Sequence, residues 1–161
     1  MIKQYNQTSQ SLFDILDVIK SFKESFYFTE NNERIFVTDE HLLKKLLRQS
    51  AHIFYEDNDI NSGLVLVWKS KSSELTRYYV KLLANNEDTA RRLLTLLLWN
   101  TKKDLFIKIK KDSLYLKPLR QKRFEFSGGR GSELLLKKRF VFSENNSKVF
   151  IKNNDQYNNE N

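Results

Sequence analysis

Side chains able to do chemistry are few in this chain of 161 residues, and no cysteine is present. A thiolate nucleophile, a thiolate metal site and a disulfide framework are thereby excluded, so chemistry must come from oxygen, nitrogen or a bound cofactor. The two histidines, His41 and His52, have no carboxylate at ligand spacing, which argues against a metal centre; His41 reads as a surface residue of a helix and His52 as a strand residue. The cluster Glu56-Asp57-Asn58-Asp59 lacks the glycine and the closing glutamate of a calcium loop and reads as a solvated hairpin tip. Ser127-Gly-Gly-Arg-Gly131 has the look of a phosphate cradle, but it joins two strands and no helix follows to lend its dipole, so a tight turn is expected.

Charge is the next source of chemistry. The net charge is +8. Residues 1–100 carry 13 basic and 13 acidic side chains, whereas residues 101–139 carry 13 basic against four acidic, so one face or edge should hold the excess. Phe106, Tyr115, Phe124 and Phe126 interleave with these cations, a combination that neutralises phosphates and stacks bases. Strands that put lysine outward and aromatics inward give the same pattern with no ligand, and so does a biased composition.

The elements that position these residues follow from periodicity. Leu12, Ile15, Leu16, Ile19 and Phe22 make one apolar face of a helix over residues 11–23. Thr38 is placed to cap a second helix carrying Leu42, Leu43, Leu46 and Leu47 and ending near Gln49. Residues 51–55 and 64–68 read as a hairpin and 77–83 as a third strand. Residues 88–100 return to helical spacing through Ala90, Leu93, Leu94, Leu97 and Leu98, with Asn85 or Asn86 as cap. Residues 104–110 alternate as a strand, Pro118 limits any helix in 112–122, and strands are expected at 124–126 and 133–138. Residues 140–152 suggest a further hairpin, and the polar end 153–161 should be a disordered tail after one domain spanning 1–152. No apolar run approaches a membrane span and the start has no apolar leader, which points to a soluble cytoplasmic protein with no membrane partner.

The element order, together with Arg123-Phe-Glu-Phe-Ser-Gly-Gly-Arg-Gly-Ser-Glu-Leu-Leu-Leu near its end, resembles the GNAT (GCN5-related N-acetyltransferase) family, with the likeness strongest over residues 64–140. The resemblance implies an α/β (α+β) fold, with a mixed, mostly antiparallel sheet of six to seven strands and helices on both faces. It implies acetyl transfer from acetyl-CoA to a primary amine on a small molecule or protein. The cofactor would lie in a gap between strands 77–83 and 104–110, its pyrophosphate at the start of helix 88–100. By that resemblance Leu82, Leu83, Ala84, Asn85, Asn86, Thr89 and Arg91 bind the cofactor. The family's Arg or Gln followed by two glycines is missing from this loop, and Glu87 and Asp88 stand in the first helical turn. Near a surface each carboxylate opposes a pyrophosphate by on the order of 1 kcal/mol. The family's acid tyrosine lies about four residues before the first aromatic of the next strand; here Arg120 holds that place and Tyr115, nine before Phe124, is the nearest tyrosine. Tyr115 is thus either the acid or a packing residue with a wet hydroxyl. The other function open to such a chain is a non-catalytic binding module whose region 102–139 meets nucleic acid or an acidic partner.

Overall fold

The computed structural model describes residues 1–23, 26–71 and 74–141. The element order is β1 (Lys3–Gln4), α1 (Ser9–Ser21), β2 (Tyr27–Glu30), β3 (Glu33–Phe36), α2 (Glu40–Arg48), β4 (Ser50–Asp57), β5 (Ser62–Lys71), β6 (Thr76–Ala84), α3 (Glu87–Asn100), β7 (Leu105–Lys110), α4 (Leu116–Gln121), β8 (Glu125–Arg130) and β9 (Glu133–Lys138). Seven strands form one sheet in the order β1-β4-β5-β6-β7-β9-β8, and β2 and β3 make a separate hairpin. All neighbours in the sheet are antiparallel except β6 and β7, which are joined through α3 and run parallel.

The centre of the sheet is buried on both faces, which is why β5 reads as a continuous apolar run. Leu64, Leu66 and Trp68 turn to the face covered by α1 and α2; Val65 and Val67 turn to the face covered by α3. Ala90, Leu93, Leu94 and Leu97 form the buried stripe of α3, as their spacing predicts. Gly63 lets this helix come close: a Cβ there would lie 2.6 Å from the Leu83 carbonyl oxygen and 2.8 Å from Leu93 Cδ1.

Several local expectations need correction. The cap of α2 is Asp39 rather than Thr38, its carboxylate accepting from the Leu42 N–H at 2.9 Å. The β2–β3 hairpin and the edge strand β1 have no counterpart in the sequence reading; Glu33, Arg34, Ile35 and Phe36 alternate too briefly for a period to register. Ser127 to Arg130 lie inside β8 rather than in a turn, with a bulge between Phe126 and Gly128 and the reversal at Gly131 and Ser132. The polar tail at 153–161 and the hairpin at 140–152 fall outside the described residues, apart from 140 and 141. Among the described residues no helix is long and apolar enough to cross a membrane.

Candidate active site

The parallel pair β6 and β7 sets up the site by coming apart. Their ladder holds only at Tyr78 with Leu105 and Tyr79 with Phe106; beyond these the strands diverge, and residues 80–84 and 107–110 face each other across a gap. Both strands pair on their other edges, β6 with β5 and β7 with β9, so the groups lining the gap are sheet edges open to an extended ligand. A cavity of about 890 Å³ occupies this region, within the range of small-molecule sites. It is lined from both faces of the sheet: Val80, Leu82, Ile107 and Ile109 belong to the core beneath α3, while Tyr79, Lys81, Lys108 and Lys110 alternate with them toward the β2–β3 hairpin.

Tyr115, at the N-cap of α4, closes one end of the gap. Its ring is buried, 5% exposed, and its hydroxyl accepts from the Ala84 N–H at 2.9 Å and donates to the Ala84 carbonyl at 3.3 Å. The expectation of a wet hydroxyl is therefore corrected, because the hydroxyl is spent on the last residue of β6. Spacing from Phe124 hid this. The turn of α4 lies between the two residues, and Tyr115 meets a strand 31 residues earlier in the chain.

Of the residues assigned to the cofactor, Leu82 and Leu83 line the cavity and Ala84 holds Tyr115. Asn85, Asn86 and Thr89 bind the turn between β4 and β5. Ser62 N–H donates to Asn85 Oδ1 at 3.0 Å, Asn85 Nδ2 donates to the Ile60 carbonyl at 2.9 Å, and Asn61 Oδ1 accepts from both Asn86 Nδ2 and Thr89 Oγ1. Asn86 is the cap of α3, accepting from the Thr89 N–H at 2.8 Å. Arg91 reaches Glu87 at 4.0 Å, Asp88 at 3.8 Å and Gln121 at 3.1 Å. Arg92 holds Asp88 at 3.0 Å and Glu56 at 2.9 Å. The hairpin-tip reading fails for Glu56, which is 3% exposed and meets the N-terminal ammonium at 3.0 Å as well. Burial raises its pKa, but these two cations outweigh that and hold the carboxyl below its ordinary range.

The opposite end of the cavity was not legible in the sequence. Trp68, Tyr79 and Phe106 are register partners on β5, β6 and β7 and form a row of rings at centroid distances of 6.2 and 5.9 Å, with Phe28 of β2 adding a fourth at 6.4 Å from Trp68. Cations sit on these faces and on the ring of Tyr27 in β2. Lys81 Nζ lies 4.4 Å from the Tyr27 ring and 5.4 Å from Trp68, Arg34 lies 4.6 Å from Tyr27, and Lys108 lies 5.6 Å from Tyr79. Desolvation, with Lys108 and Arg34 nearby, pulls the Lys81 pKa down to about 8 against the opposing pull of Glu133. Burial likewise raises Tyr27, helped by Glu133 and opposed by Arg34.

The basic surplus of residues 101–139 does not gather on one face. Lys108 and Lys137 stand over Tyr79 and Phe106 on the hairpin side, and Lys103 stands over Tyr78, whose ring packs with the core under α3. Strand alternation divides it. His41 is an exposed residue of α2 and His52 a half-buried residue of β4, and among the described residues no cluster has metal-ligand composition.

No protein-family model matches the sequence, and no curated protein does. Solved structures do match. A chain of the NatC complex bound to Gag peptide and CoA superposes with a TM-score of 0.61 at 11% identity, covering 88% of this chain and 98% of that one. The yncA protein of Salmonella typhimurium with its cofactor acetyl-CoA gives a TM-score of 0.60 at 12% identity, covering 89% and 95%. With the mixed seven-stranded sheet and its splayed parallel pair, these likenesses establish that the chain has the GNAT-type fold its sequence resembles.

Proposed function

We propose that the protein is an acyltransferase that moves an acetyl group from acetyl-CoA to a primary amine. The observation that carries this reading is the divergence of β6 from β7 after two pairs, with a cavity running through the opening. Unpaired strand edges accept an extended amide ligand by the same hydrogen bonds that add a strand to a sheet, which suits the amide-bearing arm of coenzyme A. The two neighbours by fold, solved with CoA and with acetyl-CoA, support the same donor.

In this reading Leu82 and Leu83 flank the arm. The N–H groups along the open edge of β6 polarise the thioester carbonyl, and the acceptor amine attacks from the hairpin side. The C–N bond forms as the C–S bond breaks; the departing sulfur takes a proton, and the attacking nitrogen releases one that restores the acid. Tyr115 is the residue assigned to supply the proton to sulfur: its hydroxyl sits at the gap, where it donates to the Ala84 carbonyl at 3.3 Å. The α3 terminus contributes less than the family pattern would. Asn86 satisfies one N–H, and Glu87 and Asp88 offset the dipole, leaving Arg91 and Arg92 to swing from those carboxylates toward the pyrophosphate.

The test is a titration of acetyl-CoA into the purified protein followed by melting temperature. Saturable stabilisation is expected, reaching about 2.7 kcal/mol at a hundredfold excess over Kd. Adding amines should then release thiol, read by a thiol reagent to which a chain without cysteine is silent. No melting shift at millimolar acetyl-CoA would sink the reading.

A further inference from the structure

Four of the cations that line the cavity form no salt bridge among the described residues. Arg34, Lys81, Lys108 and Lys110 all line the cavity, and among the described residues none of them lies within 4 Å of a carboxylate. The acidic side chains lining the same cavity are Asp112 and Glu133. Lys81 is half-buried and the other three cations are exposed, whereas the buried Glu56 is paired with Arg92. A ring face attracts a cation but does not neutralise it, so this end of the cavity keeps a surplus of positive charge beside aromatic walls. An ammonium substrate would be repelled there unless it carried negative charge of its own.

We propose that the acceptor is an amine bearing an oxyanion, a carboxylate or a phosphate, held by Lys81, Arg34 and Lys108 on the hairpin side of the β6–β7 gap. This rests on the acyltransferase reading and adds the substrate class to it. Lys81 is on β6, Arg34 on β3 and Lys108 on β7, so three separate elements converge on one volume. Glu133 of β9 faces the same group and leaves room for the acceptor's amino end, while Tyr27 and Trp68 supply flat walls. An oxyanion between these cations relieves their mutual repulsion, which adds to desolvation in lowering the Lys81 pKa. The guanidinium of Arg34 suits either anion by forked hydrogen bonding.

Matched acceptors test it. Glutamate against its diamide, and 2-aminoethyl phosphate against ethanolamine, are compared at equal ionic strength in two assays: thiol release from acetyl-CoA, and melting temperature of the protein without acetyl-CoA. The acidic member of at least one pair is expected to give kcat/KM about tenfold or more above its neutral mate, the size of a charge-assisted contact. That ratio should fall toward one in Lys81→Met and in Arg34→Gln, and the pair that responds identifies the anion. Acetyl-CoA binding with equal or better use of the neutral amines would overturn the acceptor class while leaving acyl transfer standing. Should acetyl-CoA fail to bind, acyl transfer falls. The melting panel then decides the anion site: a larger shift with the acidic probes, lost in Lys81→Met, keeps it, and equal or absent shifts remove it.

Discussion

The two ends of the β6–β7 gap are built on opposite electrostatic plans. At the α3 terminus every prominent polar side chain has a protein partner: Asn85, Asn86 and Thr89 tie down the β4–β5 turn, and Arg91 and Arg92 meet Glu87, Asp88 and Glu56. Under the β2–β3 hairpin Lys81, Arg34 and Lys108 stand on aromatic faces and, among the described residues, form no salt bridge. Satisfied polar groups fasten structure, whereas charges without a protein partner stay available to a ligand. The terminus that the sequence resemblance marks for phosphate is thus the better-sealed region, and the hairpin side is the one left open to charge.

The largest effect expected is at the junction between these ends. Tyr115→Phe removes the hydroxyl that joins Ala84 to α4, and under the proposed mechanism it should lower the rate of thiol release by about a hundredfold or more, the usual range for a lost acid. Stability should fall by only about 1 to 3 kcal/mol, the cost of leaving the buried Ala84 N–H without its partner. A variant that loses that much stability but keeps full activity would make Tyr115 a strut between strands and nothing more.

Arg92→Ala examines the sealed end. It strips Glu56 of one of two cations in a buried setting, so stability at neutral pH should drop by about 1 to 3 kcal/mol, the cost of leaving a buried carboxylate short of a partner. The sign of its pH dependence follows from the depressed carboxyl: the ionised Glu56 stabilises the fold at and above the ordinary carboxylate range and ceases to do so as pH falls through its folded value. Wild type and variant should therefore converge in acid. Urea midpoints measured at pH 7 and pH 3 check this, and an equal gap at both would detach Arg92 from Glu56.

How far the sequence revealed this contrast depended on the range of the signal. Helical spacing in Leu93, Leu94 and Leu97 and alternation in residues 105–110 were local, and they located α3 and β7 within a residue or so. The capping asparagine was legible because a cap acts three residues away. The row Trp68, Tyr79 and Phe106 was not, since its members become neighbours only through cross-strand register. Lys81 looked like any alternating strand lysine until a hairpin too short to register as periodic covered it. A lysine flanked by Val80 and Leu82, in a strand bound for the sheet centre, was the one hint available.

Lys81→Met asks whether the open end is costly. Methionine matches the stem without the charge, so at pH 7 the variant should be more stable than wild type by about 1 kcal/mol, in line with swapping a half-buried, desolvated ion for an apolar group. Below pH 8 the wild-type fold carries a desolvated ammonium. Between about pH 8 and the ordinary lysine range the folded protein sheds that proton while the unfolded chain keeps it, so wild-type stability rises relative to the variant. The gap in urea midpoint should accordingly shrink from pH 7 to pH 10, and a gap that widens would refute the charge argument.

The smallest effect belongs to Asn86→Ala, which bears most directly on what the sealed end is for. Losing the cap should cost about 1 kcal/mol, and Asn86→Gly only a few tenths, because glycine adopts the extended cap backbone and leaves the N–H groups open to water. The same substitutions uncover the Thr89 N–H and loosen the contact with Asn61. If the α3 terminus holds pyrophosphate, Asn86→Gly should bind acetyl-CoA as well as wild type or better, since an anion can take the freed donor. If the terminus serves only to fasten the β4–β5 turn, affinity should follow the small loss of stability and weaken. Isothermal titration of both variants separates the two, and it does so with the protein folded in every arm.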